Sequence, residues 1–192
     1  MTWVVVLVKD FDTAKQRLSP ALEPEARRRL SIANAERAIR AASRVGQVLV
    51  VAGSVEAAQR ALKLGAQSYL ERSPSGQNPA AAAGIRLAVA RGADSVLVVS
   101  SDLPRISRTA LRAVIAAAGA LSPVAVAAAA TGRGGTNALF LRPPDAIGLH
   151  FGDKSLRRFE ADARARGVPF EIVDHPHLAL DLDEPADLVA LR

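Results

Sequence analysis

Short β-branched apolar runs alternate with Ala/Arg-rich stretches of helical length along the whole chain, and few folds accommodate that alternation. The runs at 3–8, 47–52, 67–70, 95–100 and 124–129 are predicted strands, with shorter candidates at 138–141, 170–173 and 178–182. Between them, 24–44, 55–64, 79–91, 108–118, 154–166 and 185–191 are predicted helices. Strands separated by helices of this length build βαβ units and a mostly parallel sheet. The segments Val4-Val5-Val6-Leu7-Val8 and Val96-Leu97-Val98-Val99 are continuously apolar, as strands covered by helices on both faces are. The expectation is an α/β fold of three layers, α/β/α, with a mostly parallel mixed sheet. At 192 residues it suits a single domain over 1–192.

Local punctuation supports these boundaries. Pro24 suits a first helical turn and Ser107 an N-cap. Gly46, Gly65, Gly92 and Gly167 each follow a predicted helix, where a left-handed residue closes the last turn. No cysteine is present, which excludes disulfides, thiolate zinc sites and Cys nucleophiles. The first strand-to-helix turn lacks G-x-G-x-x-G, and no G-x-x-x-x-G-K-[ST] occurs, so dinucleotide-binding and P-loop mechanisms lose their signatures. No apolar run is long enough to span a bilayer and no signal peptide is visible, so a soluble, cytoplasmic protein is expected. The formal charge of +6 suits polyanionic ligands, although a genome that favours Arg is the simpler account. No aromatic stacking motif accompanies the basic residues, so no nucleic-acid partner is expected. The sequence leaves a homo-oligomeric state open.

The segments that carry chemistry fall where strands end. Ligands of open α/β sheets bind in the crevice at the carboxyl ends of the strands. The loop after the first strand places Lys9, Lys15 and Arg17 there, either as polyphosphate contacts or as a solvated turn. Ser100-Ser101-Asp102-Leu103-Pro104 follows the fourth strand, and Asp102 suits both an Asx turn and a ligand role. Leu180-Asp181-Leu182-Asp183-Glu184-Pro185 lies near the C-terminus. If it is extended, Asp181 and Asp183 point the same way, an arrangement that a cation relieves. Mg²⁺ is held by one or two carboxylates plus substrate phosphates. Ser73-Pro74-Ser75-Gly76-Gln77-Asn78 and Gly132-Arg133-Gly134-Gly135-Thr136-Asn137 can offer amides and hydroxyls to a ligand or form ordinary turns. Phe151-Gly152-Asp153-Lys154-Ser155 opens a helix whose N-terminus can receive an anion.

Taken in order, Ala14-Lys15-Gln16-Arg17-Leu18, Ser101-Asp102-Leu103-Pro104, Gly135-Thr136-Asn137-Ala138-Leu139, Phe151-Gly152-Asp153-Lys154-Ser155 and Ala179-Leu180-Asp181-Leu182-Asp183-Glu184-Pro185 resemble the 2-phospho-L-lactate guanylyltransferase family of coenzyme F(420) biosynthesis. The chain departs from the family pattern at Leu7, Gln77 and Arg133. The resemblance implies a nucleotidyltransferase fold of the glycosyltransferase-A kind. It implies that GTP reacts with a 2-phospho acid, 2-phospho-L-lactate, phosphoenolpyruvate or a close relative, giving a guanosine diphospho acid and pyrophosphate. By the same resemblance, Asp102, Asp181 and Asp183 would hold Mg²⁺, and Thr136, Gly152 and Ser155 the phosphorylated acid. Lys9, Lys15, Arg17 and Asn78 would meet the nucleotide, with Asp102, Lys15 and Arg17 in the catalytic set. Two other readings stay open. One is a molybdenum-cofactor or sugar-phosphate nucleotidyltransferase of the same fold; the other is a nucleotide-binding regulator without turnover.

Overall fold

The computed structural model describes residues 1–73, 76–130, 132 and 134–191. Seven strands form one sheet: β1 (Thr2–Val8), β2 (Gln47–Ala52), β3 (Gln67–Leu70), β4 (Ser95–Ser100), β5 (Val124–Ala129), β6 (Thr136–Arg142) and β7 (Phe170–Val173). Their order is β3-β2-β1-β4-β6-β5-β7. All pairings are parallel except those of β6, which runs antiparallel to both β4 and β5. The helices are α1 (Pro24–Ala42), α2 (Val55–Lys63), α3 (Gln77–Ala90), α4 (Arg108–Ala117), α5 (Ser155–Arg166), α6 (Pro176–Ala179) and α7 (Pro185–Val189).

Alternation along the strands divides the core in two. Val4, Val6, Val50, Val99, Val126 and Phe140 meet Ala38 and Ile39 of α1, Leu111 of α4 and Leu178 of α6 on one face. Trp3, Val5, Val51, Val98 and Leu139 meet Ala81 and Ala88 of α3 and Phe159 of α5 on the other. The strands are thus buried on both sides, as their unbroken apolar character requires. Gly84 lets α3 lie against the sheet, since a Cβ there would stand 2.4 Å from a methyl of Val5 and 2.9 Å from one of Val51. Ser107 caps α4 by accepting from Ala110 N at 3.3 Å. No helix among the described residues is long and apolar enough to cross a membrane.

Three local expectations change. The residues at 178–182 are not a strand. Pro176 at the first turn of α6, with His177 N donating to His175 Nδ1 at 3.1 Å, starts a helical turn that drops Leu178 into the core. Strand β6 begins at Thr136 rather than Ala138, because Ala129 of β5 pairs with it. Gly65, Gly92 and Gly167 have positive φ, but Gly46 does not; its role is close approach, since a Cβ would fall 2.6 Å from Thr2 O.

The chain builds outward from β1 to β2 and β3, then returns across the sheet to β4 on the other side of β1. The switch of direction opens a crevice at the carboxyl ends of β1 and β4, where the loops carrying Lys9 and Asp102 emerge.

Candidate active site

The loop after β1 is held by local bonds. Ala14 N donates to Asp10 O at 2.9 Å and Asp12 N to Asp10 Oδ1 at 2.9 Å. It ends in a 3-10 turn, Gln16–Leu18, preceded by Lys15 in the left-handed region at φ 58°. That backbone conformation is unfavourable for a side chain by about 1 kcal/mol, and buried contacts hold it. The Lys15 ammonium donates to Asp102 Oδ1 at 2.9 Å and to Leu182 O at 2.8 Å. Its side chain is only 2% exposed, against 31% for Asp102. Leu182 N in turn donates to Asp102 O at 3.1 Å. The loop after β1, the loop after β4 and the C-terminal segment are therefore tied at one point by a buried cation.

Beside this knot, Arg17 Nη1 donates to Asp183 Oδ2 at 2.8 Å and lies 3.8 Å from Glu184 Oε1. The guanidinium stays largely exposed. Asp187 accepts from Asp183 N and Glu184 N, at 2.8 and 2.7 Å, and so fixes the segment to the start of α7.

The opposite wall is built differently. Thr136 opens β6 and Ser155 opens α5. Both hydroxyls are buried and have no hydrogen-bond partner among the described residues. Most buried polar side-chain atoms have a partner, so two orphans in one wall point to a ligand that supplies the missing bonds. Leu156 N donates to Gly134 O at 3.1 Å, joining the start of α5 to the glycine-rich turn. Asn137 Nδ2 donates to Leu178 O at 2.8 Å, joining β6 to α6. Further along α5, Asp162 accepts from Arg166 Nε at 2.8 Å, from Gly148 N at 2.5 Å and from His150 at 3.1 Å. The Arg166 bond above all holds its carboxyl down at about 2.

Between the walls lies a cavity of about 630 Å³, the size of a small-molecule site. Lys9, Arg17, Asp102, Thr136, Gly152, Ser155, Asp181 and Asp183 all line it, although they come from five separate regions of the chain. Lys15 stands behind the lining and reaches it through Asp102. Asn78 is otherwise engaged. Its carboxamide donates to Phe151 O at 3.0 Å and accepts from Phe151 N at 2.7 Å, so it anchors the Phe151-Gly152 segment, while its neighbour Gln77 lines the cavity. Pro74, Ser75 and Arg133 lie outside the described residues.

Asp102, Asp181 and Asp183 share the cavity but not a ready coordination shell. Among the described residues no three His, Asp or Glu side chains converge to hold a metal. A donor set of one or two carboxylates is nonetheless what Mg²⁺ uses when substrate phosphates complete its shell. Sequence reasoning missed Glu71, which follows β3 and lines the cavity, and whose carboxyl burial pushes up from its ordinary value. The rule that singled out Asp102, an acid following an apolar strand, does not reach it, because β3 reads Gln-Ser-Tyr-Leu and is largely exposed; only its place at a strand end could have flagged it.

Comparison with known proteins agrees with this architecture. A phosphoenolpyruvate guanylyltransferase of Sphaerobacter thermophilus is 39% identical over 99% of this chain and 92% of its own length. A 2-phospho-L-lactate guanylyltransferase of Methanothermobacter thermautotrophicus is 32% identical over 97% and 82%. Among solved structures, a nucleotidyl transferase from Methanothermobacter superposes with a TM-score of 0.72 at 18% identity, covering 100% of this chain and 96% of that one. Glucosyl-3-phosphoglycerate synthase of Mycobacterium tuberculosis, solved with Mn²⁺, uridine diphosphate and phosphoglyceric acid, gives 0.65 at 13% identity over 99% and 73%. The fold is that of the nucleotidyltransferases. The model of the guanylyl transferase CofC-like family matches residues 2–191, and the chain belongs to that family of enzymes.

Proposed function

We propose that the cavity joins GTP to a three-carbon phosphorylated acid, phosphoenolpyruvate first and 2-phospho-L-lactate second, releasing pyrophosphate. The observation that carries the acceptor assignment is the pair of buried, unpartnered hydroxyls of Thr136 and Ser155 beside Gly152. A phosphate group has the acceptor oxygens those donors lack. The order of acceptors rests on the name of the Sphaerobacter relative, which shares 39% of its residues with this chain.

In the reaction, an oxygen of the acceptor phosphate forms a bond to the α-phosphorus of GTP. The bond from that phosphorus to the bridging oxygen breaks, and pyrophosphate leaves with the electron pair. The acceptor is already ionised at neutral pH, so no strong base is required. The protein's part is to position the two anions and offset their charge. Thr136 and Ser155 orient the acceptor, and Lys9 and Arg17 face the triphosphate at the cavity rim. Lys15 acts on Asp102, fixing its carboxylate against the C-terminal segment. Asp102, Asp181 and Asp183 would hold Mg²⁺, which would supply positive charge to offset that of the two anionic reactants. The same reading assigns the protein to the cytoplasm.

The test is a panel of GTP and ATP with each acid, followed by pyrophosphate release and mass spectrometry of the product, with and without Mg²⁺. The expected result is a guanosine diphospho acid formed from GTP in the presence of Mg²⁺. GTP binding with no pyrophosphate from any acid would instead make the protein a nucleotide-binding regulator.

A further inference from the structure

The cavity has a second end that the acceptor chemistry does not use. Three strand spacings, roughly 14 Å, separate the end of β3 from that of β4 along the sheet edge. The groups proposed to handle phosphate come from the loops after β1 and β4, from β6 and from α5, none of them from the β3 end. At the far end stands Glu71, whose backbone N donates to Ala52 O at 3.0 Å and so sets it beside Gly53 where β2 ends. Glu71 lines the cavity with Gly53, Gly76 and Gln77. Among the described residues its carboxylate makes no hydrogen bond and no ion pair, and burial alone disfavours its charge. A lone carboxylate in a cavity built for polyanions hinders binding unless it meets a donor on the ligand.

The donor required is one that a carboxylate can satisfy with both oxygens. Guanine presents two adjacent donors, N1–H and the N2 amino group, on its pairing edge. Adenine presents an acceptor, N1, beside its single amino donor. A carboxylate therefore pairs with guanine through two parallel hydrogen bonds and opposes adenine lone pair to lone pair. The spacing along the sheet edge leaves room for the base at this end when the phosphates lie at the other. From this juxtaposition we infer that Glu71 is the specificity-determining residue that reads guanine. The inference rests on the proposed use of GTP and supplies its physical basis.

Inosine triphosphate lacks only the N2 amino group, so it isolates the contact. Equilibrium affinities for GTP, inosine triphosphate and ATP are measured by calorimetry on the full chain and on Glu71→Gln. Glutamine keeps one acceptor oxygen for N1–H but turns a second donor toward the N2 amino group. The expected result is a wild-type preference for GTP over inosine triphosphate that falls by about 5- to 150-fold in the variant, the range a bidentate base contact carries. Binding of inosine triphosphate is retained, which also reports that the variant is folded. An unchanged preference in Glu71→Gln, or a wild type that does not distinguish the two nucleotides, overturns the inference. Pyrophosphate release is scored separately. A protein that binds GTP through Glu71 without turnover keeps the inference and removes the reaction.

Discussion

The two walls of the cavity meet the same problem, holding polar groups without bulk water, in opposite ways. On the wall formed by the loops after β1 and β4 and by the C-terminal segment, two charge pairs are already made. Lys15 holds Asp102, and Arg17 holds Asp183. On the wall formed by β6 and α5, two hydroxyls are buried with nothing to bond. An unsatisfied buried polar group costs about 1–3 kcal/mol, so the second wall stores a penalty that a ligand removes. The charged wall stores no such penalty, and under the proposed reaction its pairs would have to loosen or share with a metal and phosphates. The difference predicts that damage to the first wall shows in stability and damage to the second in ligand affinity.

The largest effect is expected at Lys15. Lys15→Met removes the buried ammonium and leaves Asp102 and the Leu182 carbonyl facing one another. Loss of one member of a buried pair costs about 3 kcal/mol or more. Urea unfolding is expected to show a loss of that order together with loss of turnover. A variant as stable as the wild type would show that the knot holds nothing together. The next effect is at Asn78. Asn78→Ala strands the N–H and C=O of Phe151, at about 2 kcal/mol, and frees the segment that carries Gly152. The expected outcome is a raised KM for the phosphorylated acid with the KM for GTP little changed. The reverse pattern would return Asn78 to the nucleotide, where the family resemblance had put it.

That case marks what a sequence alone can carry. The strands of the parallel half were legible because burial on both faces leaves an unbroken apolar run, and the helix starts at Pro24 and Ser107 because capping is local chemistry. Asp102 was legible because an apolar strand ends just before it, whereas Glu71, after the polar strand Gln67–Leu70, was not. Partners were not. Lys15 meets Asp102 and Asn78 meets Phe151 across long stretches of intervening chain, and no periodicity encodes such pairs. The candidate strand at 178–182 falls in a segment that no neighbouring strand pairs. Pro176 started a helical turn upstream instead, and Lys15 and Asp102 took the backbone groups of Leu182. The orphan hydroxyls were named by resemblance, but their lack of partners appears only once the surrounding elements are packed.

The smallest structural effect makes the most direct test. Thr136→Val with Ser155→Ala removes two buried hydroxyls that bond to nothing in the unliganded protein, so thermal stability should be unchanged or slightly higher. Titration of the double variant with phosphoenolpyruvate in the presence of Mg²⁺ should show affinity at least about tenfold weaker than in the wild type, since each hydrogen bond to a charged phosphate contributes about 1.5–3 kcal/mol. Undiminished affinity for the acid in a stably folded double variant would contradict the assignment of that wall to the phosphorylated substrate.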